Sequence, residues 1–202
     1  MKKTTPILLL VFFLFFNLTN CFAQYYKYAI DANYGISGVT DPSIQDFSHF
    51  GAGFTYEFDV IYGIKLDFGS DQYRMFNTIV GKEAGVDMLR LSLQGVVNLS
   101  TVGDEYRIYD TFNILAHGGI GVSKVSSTIL EGSDKTVNFI LGITPRLKIT
   151  DELYFNVDAS AIMIFSQHYN FDGNLAYDDV VNSFSSFTYN FTAGLTYRFG
   201  KY

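Results

Sequence analysis

The stretch Leu89-Arg90-Leu91-Ser92-Leu93-Gln94 alternates strictly between apolar and polar residues. A period of two places the three leucines on one face of a β-strand and the three polar side chains on the other. The pattern extends through Val97 and Asn98 without a helical period. This stretch therefore predicts a β-strand with one apolar and one polar face.

The same alternation recurs in seven further segments of the chain. They cover residues 26–36, 51–58, 63–69, 112–123, 138–148, 153–161 and 189–199. Together with 89–98 they make eight, and we expect each to supply the roughly 9–11 residues that a tilted strand needs to cross a bilayer. The predicted fold is all-β, an eight-stranded antiparallel up-and-down transmembrane β-barrel.

The contents of the two faces favour a membrane barrel over a soluble one. The apolar face is uncharged in all eight segments, and a Lys or Arg near the midplane of a lipid face costs about 2–4 kcal/mol. An eight-stranded interior is only just wide enough for its side chains, so the chain's 20 Phe and 15 Tyr residues are expected to face outward. The alternative is a secreted lipocalin-like barrel with an apolar ligand cavity, which needs a charge-rich exterior that neither face supplies.

The connections between the segments alternate in length. Asp59-Val60 and Thr150-Asp151-Glu152 are short, whereas 37–48, 70–84, 124–136 and 166–186 are predicted to be long loops, with 100–110 as an exception to the alternation. Short turns on one side and long loops on the other are typical of a transmembrane barrel, and both termini then lie on the periplasmic side. Pro145 predicts a local bulge, because proline removes a donor from the strand ladder.

Aromatic residues gather at strand ends near the short connections, where an interfacial girdle belongs. The predicted girdle consists of Tyr26, Phe58, Tyr62, Phe112, Phe155, Tyr197 and Phe199.

The first 23 residues predict a cleaved signal peptide. Lys2 and Lys3 precede an apolar run over 6–16, and Cys21-Phe22-Ala23 offers a cleavage site before Gln24. A retained anchor and a lipidated Cys21 are the alternatives. Residues 24–202 then form one barrel domain without a cysteine, and therefore without a disulfide.

The net charge of −6 becomes more negative once the leader is removed. Without Lys2 and Lys3, 12 basic residues remain against 20 acidic residues. Nucleic acid is therefore not expected as a partner, since it requires a basic patch.

The mature chain resembles the small OmpA-type outer-membrane β-barrel family. The resemblance is carried by 91–99, by 117–121, by 142–145 and by the closing Gly194-Leu195-Thr196-Tyr197-Arg198-Phe199. In this last segment Gly194, Tyr197 and Phe199 resemble the C-terminal signal that barrel-assembly machinery reads, although Gly200-Lys201-Tyr202 follow it. The resemblance implies a bacterial outer-membrane location, lipid and lipopolysaccharide as surroundings, and periplasmic chaperones during assembly. The peptidoglycan-binding domain of larger members is not expected here.

The inward face carries charges of both signs and one histidine. We interpret them as a salt-bridged polar network in the lumen, because an unpaired buried charge is costly. A gated proton or ion path is the alternative. The residues of the predicted network are Asp31, Glu57, Lys65, Asp67, Arg90, His117, Arg146, Asp158 and Arg198.

His49 and His168 are predicted to lie at loop bases on the outer side, near several Ser and Asp residues. A membrane hydrolase would place a histidine beside a nucleophile there, but no spacing marks one. We therefore expect no catalytic residue, no cofactor and no metal site. The acidic loop residues are expected to be solvated, and they are Asp41, Asp46, Glu131, Asp134, Asp172, Asp178 and Asp179.

The first hypothesis for function is a non-enzymatic integral outer-membrane protein. Its barrel would anchor external loops for envelope structure, for adhesion, or for binding a partner or lipopolysaccharide; the external ligand itself is not identified by the sequence. The alternatives are an outer-membrane enzyme that cleaves lipids or peptides, and a small-solute channel.

Overall fold

A computed structural model describes residues 26–177 and 182–201, so the predicted signal peptide lies outside the described residues. Eight antiparallel strands follow one another around a closed barrel, in which β8 pairs with β1. One short 3-10 helix, Glu105–Tyr109, lies between β4 and β5. The strands are β1 (Tyr26–Val39), β2 (Ile44–Glu57), β3 (Tyr62–Asn77), β4 (Lys82–Asn98), β5 (Phe112–Ser127), β6 (Asp134–Lys148), β7 (Leu153–Gln167) and β8 (Phe184–Lys201). The predicted fold class is confirmed.

The apolar face points outward, as predicted from the alternation. Leu93 is 57% exposed and Phe191 is 55% exposed, whereas Ser92 and Arg90 between the leucines are buried in the interior. Exposed apolar side chains on all eight strands form a continuous outer belt. Members of this belt are Ile30, Phe54, Ile64, Leu66, Phe68, Leu89, Leu91, Leu93, Ile120, Val122, Phe139, Leu141, Ile143, Phe155, Phe191 and Leu195.

The strands are longer than the sequence pattern predicts, with 14 to 18 residues each. Three of the predicted long loops are wrong, because they consist mostly of paired strand and end in tight turns at 40–43, 78–81 and 128–133. The fourth, between β7 and β8, remains long at 168–183. We call the end with these four connections the hairpin end.

The start of β1 and the end of β8 both lie at the opposite end of the barrel, which we call the terminal end. Its connections at 58–61 and 149–152 are short, as predicted. The expected exception between β4 and β5 is confirmed, since this connection spans 99–111 and contains the 3-10 helix. Asp104 caps that helix by accepting a hydrogen bond from the Tyr106 N–H.

The polarity of the two faces reverses near the hairpin end. In β4, Arg90 and Ser92 point inward and Leu91 outward, but beyond Leu89 the inward residues are the buried Val86 and Met88. Outward positions become polar there on β3 to β6. They include Gln72 and Arg74 of β3, Glu83 and Asp87 of β4, Lys124 of β5 and Lys135 of β6. Where a barrel is surrounded by lipid, its exterior is apolar, and where it is surrounded by water, its exterior is polar and its interior is apolar. The reversal therefore marks where the lipid-facing belt ends.

The ladder around Pro145 does not bulge, so this prediction is wrong. Pro145 pairs with Ile114 of β5, and the register with β7 is the same on both sides of the proline. Because proline has no backbone N–H, it cannot donate a hydrogen bond to β7, but it does not insert an extra residue into the strand. The register shifts lie instead between Gly35 and Ser37 in the β1–β2 pair and between Ile164 and Gln167 in the β7–β8 pair.

Tyr26 does not belong to the girdle, contrary to the prediction. Only 6% of it is exposed, and its hydroxyl donates a 2.8 Å hydrogen bond to Glu152 Oε1. The guanidinium carbon of Arg198 lies 5.7 Å from the centre of its ring. Because both its polar and its aromatic groups find partners inside, the ring lies across the terminal end of the lumen.

The other girdle residues are exposed or half-exposed on the outside of the terminal end. The rings of Tyr28 and Phe199 stack at 5.6 Å between centroids, and those of Tyr197 and Phe199 at 6.1 Å. Stacked aromatic rings, two of which carry a tyrosine hydroxyl here, suit a membrane–water interface.

A charge on the outer belt is expected to prevent assembly. Leu93→Lys places an ammonium on the lipid face at a cost of about 2–4 kcal/mol, so we expect a large loss of trypsin-resistant barrel in lipid vesicles. Leu93→Met and the inward Ser92→Thr serve as controls and retain the wild-type yield. Equal yields for Leu93→Lys and its controls would contradict the orientation of the belt.

Candidate functional site

The inward side chains form three charged clusters between the terminal end and the hairpin end. The terminal cluster is built on Glu57 of β2. Its carboxylate contacts the guanidinium of Arg198, and its Oε1 lies 3.6 Å from Arg146 Nη1. Both guanidinium groups also lie over the ring of Tyr154, at 5.4 and 5.6 Å from its centroid. One carboxylate and one aromatic face thus serve two buried cations.

The central cluster contains an ammonium between two carboxylates. Lys65 Nζ lies 3.0 Å from Asp31 Oδ1 and 2.9 Å from Asp67 Oδ1. These three residues come from β1 and β3, on either side of Gly53 in β2. This pairing between β1 and β3, over Gly53, satisfies charges that are shielded from solvent.

His117 completes the central cluster from the other side of the lumen. Its Nε2 lies 2.8 Å from Asp158 Oδ2 and its Nδ1 lies 2.6 Å from Gln94 Oε1. Asp158 also accepts a 2.7 Å hydrogen bond from the Thr144 hydroxyl. The imidazole is therefore held by contacts at both nitrogens.

The third cluster, which we call the upper cluster, is the one nearest the hairpin end. It lies on the terminal side of the polarity reversal and is centred on Asp71 of β3. Asp71 Oδ2 accepts a 3.1 Å hydrogen bond from Arg90 Nη1, and its Oδ1 lies 2.6 Å from His49 Nδ1. The side-chain amide of Asn190 lies 3.0 Å from His49 Nδ1. The structure thus places His49 inside the lumen, and its predicted position at a loop base is wrong because its strand extends further than expected.

Asp71 is absent from the predicted network. It continues the inward series Lys65, Asp67, Gly69 in β3, so the period of two is the signal that identifies it. The predicted strand ends at Gly69, which assigns Asp71 to a loop.

Inward glycines make room for the long charged side chains. A Cβ at Gly53 would lie 2.3 Å from Lys65 Cε, and one at Gly69 would lie 2.7 Å from an Arg90 guanidinium nitrogen. At Gly142 it would lie 2.5 Å from His117 Nε2 and 2.7 Å from Ser160 Oγ. The charged clusters therefore depend on small residues on the adjacent strands.

Little free volume remains between the clusters. A cavity of about 30 Å³ lies between the terminal and central clusters, bordered by Asp31, Glu57, Lys65, His117 and Arg146 among others. This volume accommodates one or two water molecules.

Beyond the upper cluster, an apolar plug fills the hairpin end of the lumen. Phe171, from the connection after β7, is 1% exposed and packs edge-on against Tyr73 at 5.1 Å between centroids. Around these two rings lie buried apolar side chains from six of the strands and from Tyr169. The remaining members of the plug are Val39, Ile44, Val86, Met88, Val125, Ile140, Ile162, Ile164 and Tyr169.

The segment 168–177 is fixed over the plug by hydrogen bonds to two hairpins. Asn77 Nδ2 donates to the Asp172 carbonyl at 2.9 Å, and Ser127 Oγ donates to the Gly173 carbonyl at 2.6 Å. Gly173 has a φ of 88° and packs against the Gly85 backbone, a conformation that favours glycine. The segment thus covers the lumen at the hairpin end.

Within the described ranges, each of the two histidines considered for catalysis contacts an aspartate. His168 Nδ1 lies 3.2 Å from Asp134 Oδ1. The Ser48 hydroxyl donates a 2.6 Å hydrogen bond to the Gln72 carbonyl. Because His49 and His168 contact different aspartates, the two histidines that were considered for catalysis do not share a site. In the part of the chain that is described, no group of three or more His, Cys, Asp or Glu residues is placed to hold a metal ion.

The predicted acidic loop residues divide into two groups. Asp41, Asp46 and Glu131 are exposed, as expected. Asp134 is instead structural, because its Oδ2 accepts hydrogen bonds from the backbone N–H groups of His168 and Tyr169 at 2.7 and 3.0 Å. Asp172 is half-buried and accepts a 2.9 Å bond from the Asn174 N–H. Asp178 and Asp179 lie outside the described residues.

The predicted assembly signal lies in β8, on the strand that closes the barrel. Gly194 faces β1 so closely that a Cβ there would lie 2.2 Å from the Ala32 carbonyl oxygen. Tyr197 and Phe199 lie on the outside of the terminal end. This geometry gives Gly194 a role in barrel closure, while recognition by assembly machinery stays a prediction.

The comparisons with known proteins identify the fold. No family model matches the chain, and no curated protein matches it either. Among solved structures, a major outer membrane protein from Thermus thermophilus has a TM-score of 0.57 and 14% identity, covering 87% of this chain and 100% of that one. The outer membrane protein OprG from Pseudomonas aeruginosa has a TM-score of 0.53 and 10% identity, covering 87% and 97%.

A third similar structure is Ail, the attachment invasion locus protein of Yersinia pestis, in complex with the heparin analogue sucrose octasulfate. Its TM-score is 0.50 at 16% identity, and the match covers 86% of this chain and 99% of that one. Membership of the OmpA-type family stays a prediction, since these identities concern the fold alone.

Removing the carboxylate of the terminal cluster is expected to destabilise the barrel strongly. Glu57→Gln leaves Arg146 and Arg198 without a counter-charge in the lumen, and breaking a buried pair costs about 3–5 kcal/mol. Unfolding in urea from lipid vesicles measures the loss. Asp110→Asn, which breaks an exposed pair with Arg107, should cost less than about 1 kcal/mol. Similar losses for both variants would contradict the importance of the terminal cluster.

Adding one methyl group to the central cluster is expected to displace His117. Gly142→Ala should lower stability by about 1–3 kcal/mol, because the new Cβ overlaps the imidazole. Gly95→Ala is the matched control, since its Cβ would have one neighbour, at 3.9 Å. The chemical shifts of the His117 ring should change in Gly142→Ala and remain unchanged in Gly95→Ala. An unchanged His117 resonance in Gly142→Ala would show that the lumen is looser than described.

Within the described residues, no helix is both long enough and apolar enough to span a membrane. The eight strands, the outward apolar belt and the filled lumen together give the chain the fold of a small outer-membrane β-barrel.

Proposed function

We propose that this protein is a non-enzymatic integral outer-membrane protein whose barrel holds its hairpin end outside the cell to bind a partner protein. The leader 1–23 directs export, and both termini of the barrel lie in the periplasm. The observation that supports this most is the filled lumen. Three charged clusters and an apolar plug occupy the interior, which leaves the hairpin end as the surface for recognition.

The hairpin end presents apolar side chains beyond the lipid-facing belt. Ile79, at the tip of the β3–β4 hairpin, is 78% exposed. Exposed apolar groups above the belt face water, and such patches mark protein–protein contact sites. Members of this hairpin surface are Phe47, Phe76, Ile79, Val80, Leu130, Leu175 and Tyr177.

The hairpin surface is presented on ordered backbone. Asn77 Oδ1 accepts hydrogen bonds from the N–H groups of Ile79 and Val80 at 2.9 and 3.2 Å, and Gly81 adopts a φ of 67° to close the turn. The strands β3 and β4 remain paired up to Asn77 and Lys82. A preorganised surface loses less conformational entropy when it binds.

The charges around the hairpin surface favour a protein over a sulfated sugar. At this end the four exposed carboxylates of Asp41, Asp46, Glu83 and Glu131 outnumber the three exposed lysines, Lys82, Lys124 and Lys135, and this balance disfavours a polyanion such as the heparin analogue bound by Ail. The carboxylates complement a partner that carries basic residues around an apolar patch. A partner of that chemistry is therefore the better match to this surface.

Crosslinking in living cells tests the proposal. A photoreactive amino acid replaces Ile79 in one variant and Tyr106, which is exposed at the terminal end, in a control. We expect a discrete protein adduct from the Ile79 position, and we expect Phe76→Ser in the same chain to weaken it by roughly tenfold, as for loss of a central aromatic contact. The Tyr106 position should not give that adduct.

Two outcomes would contradict the proposal. One is the absence of any protein adduct at Ile79 in cells whose barrel is folded. The other is an adduct of equal intensity with and without Phe76→Ser, because the apolar surface would then not be the binding site.

The channel alternative makes a different prediction. A filled eight-stranded barrel has no continuous aqueous path, so planar bilayers that contain the purified protein should show no conductance steps. We expect Phe171→Ala to be silent as well, because the three charged clusters remain below the plug. Reproducible steps from the wild-type protein would favour a channel.

A further inference from the structure

The outer surface of the barrel has a hollow that is separate from the lumen. It lies across β3 to β6 at the upper edge of the belt and has a volume of about 550 Å³. That is within the range of sites for small molecules. Its lining consists mainly of Phe68, Leu89, Leu91, Val122 and Val137, with Lys124 and Lys135 at its upper edge.

The strand register explains why the surface is hollow here. Phe68, Leu91, Val122, Val137 and Phe165 lie opposite one another in a single row across β3 to β7. The two small valines occupy the middle of this row, and larger side chains stand on both sides. The row is outward-facing and apolar, so the hollow opens toward lipid.

The two lysines form an unusual pair immediately above the valines. Lys124 and Lys135 lie directly opposite each other on β5 and β6, and both are exposed. Like charges in this arrangement repel each other and destabilise a sheet. Among the residues that the structure describes, neither lysine forms an ion pair with the protein. From the described part of the protein, the pair therefore has no anionic partner.

The height of the lysines fits a lipid headgroup. Val122 belongs to the outer belt and the exposed Val137 lies directly opposite it, whereas Lys124 and Lys135 lie one outward position beyond them, where the polarity of the barrel reverses. The end of an apolar belt is where phosphate groups of a bilayer leaflet would meet a membrane barrel. A lysine ammonium is a common ligand of phosphate.

We propose that the hollow binds a phosphate-bearing anionic membrane lipid, with an acyl chain against Val122 and Val137 and its phosphate on Lys124 and Lys135. The inference rests on the membrane location in the proposed function. A lipid fits better than a soluble anion because the cationic and apolar parts of the site are continuous. The net charge of −6 also disfavours free polyanions.

Quenching of a single tryptophan tests the site. The chain has no Trp, so Phe165→Trp, beside Val137 in the row, provides a reporter at the hollow. Phe50→Trp on β2, three strands away from Lys124 on β5 and four from Lys135 on β6, is the matched control. Each protein is reconstituted into phosphatidylcholine vesicles that contain a minor fraction of phosphatidylglycerol, with brominated acyl chains on one lipid or on the other.

We expect phosphatidylglycerol to be preferred over phosphatidylcholine at Phe165→Trp by roughly 25-fold, about fivefold for each lysine. Lys124→Gln should reduce the preference about fivefold, and adding Lys135→Gln should abolish it. Lys82→Gln, which removes an exposed lysine from the β3–β4 hairpin, should leave it unchanged. Phe50→Trp should show no preference.

Three results of the quenching experiment would overturn the lipid site. Equal quenching by both lipids at Phe165→Trp, or a preference that survives both glutamine substitutions, overturns the lipid site. Loss of the preference on adding inorganic phosphate assigns the lysines to a soluble anion and also overturns it. Trypsin resistance in the vesicles separates these cases from failure of the proposed function: a barrel that does not insert contradicts both, whereas an inserted barrel without lipid preference contradicts this inference alone.

Discussion

The hydrogen bonding of the backbone inside a bilayer is the constraint on which the rest of this structure depends. No water is available there, so every strand must pair on both sides and the sheet must close. Closure occurs between β8 and β1, from Tyr26 opposite Lys201 to Val39 opposite Thr188. Gly35 and Gly194 allow the two strands to approach there, because a Cβ on either glycine would overlap the backbone of the other strand.

Closure with eight strands determines what the interior contains. The lumen is too narrow for aromatic rings on every strand, so the rings face lipid and compact polar groups fill the inside. Lys65, Arg90 and His117 pair with carboxylates inside the lumen, and inward glycines on neighbouring strands make space for them. Beyond the belt the requirement reverses: the exterior meets water, and the interior becomes an apolar plug around Tyr73 and Phe171. The two proposed binding surfaces therefore lie on the outside, at the hairpins and on the lipid-facing surface.

The parts of the strands that carry the lipid-facing belt could be predicted from the sequence. There one face is apolar and the other polar, so a period of two identifies all eight strands and the outward direction of Leu93 and Phe191. The pattern fails where the polarity reverses. Met88 and Leu89 are both apolar although they face opposite ways, and Ile162, Met163 and Ile164 likewise hide the alternation. The alternation therefore predicts loops where the strands continue, which also misplaces His49 and leaves Asp71 unrecognised.

Contacts between distant segments are not predictable from alternation. Tyr26 is drawn inward by Glu152 and Arg198, and Phe171 enters the lumen from a connection with no regular period. The lysine pair at the hollow depends on the register of β5 against β6, which the sequence does not specify. The charged network is predictable as a set of inward residues, whereas the pairing of its members follows from the register of the strands.

Gel migration of the membrane-extracted protein, with and without boiling in detergent, tests the central claim most directly. A closed barrel with a lipid-facing belt resists the detergent until it is heated, so the account predicts faster migration of the unboiled sample and a shift on boiling. Identical migration of both samples, with the protein recovered in the soluble periplasmic fraction, would contradict the lipid-facing belt.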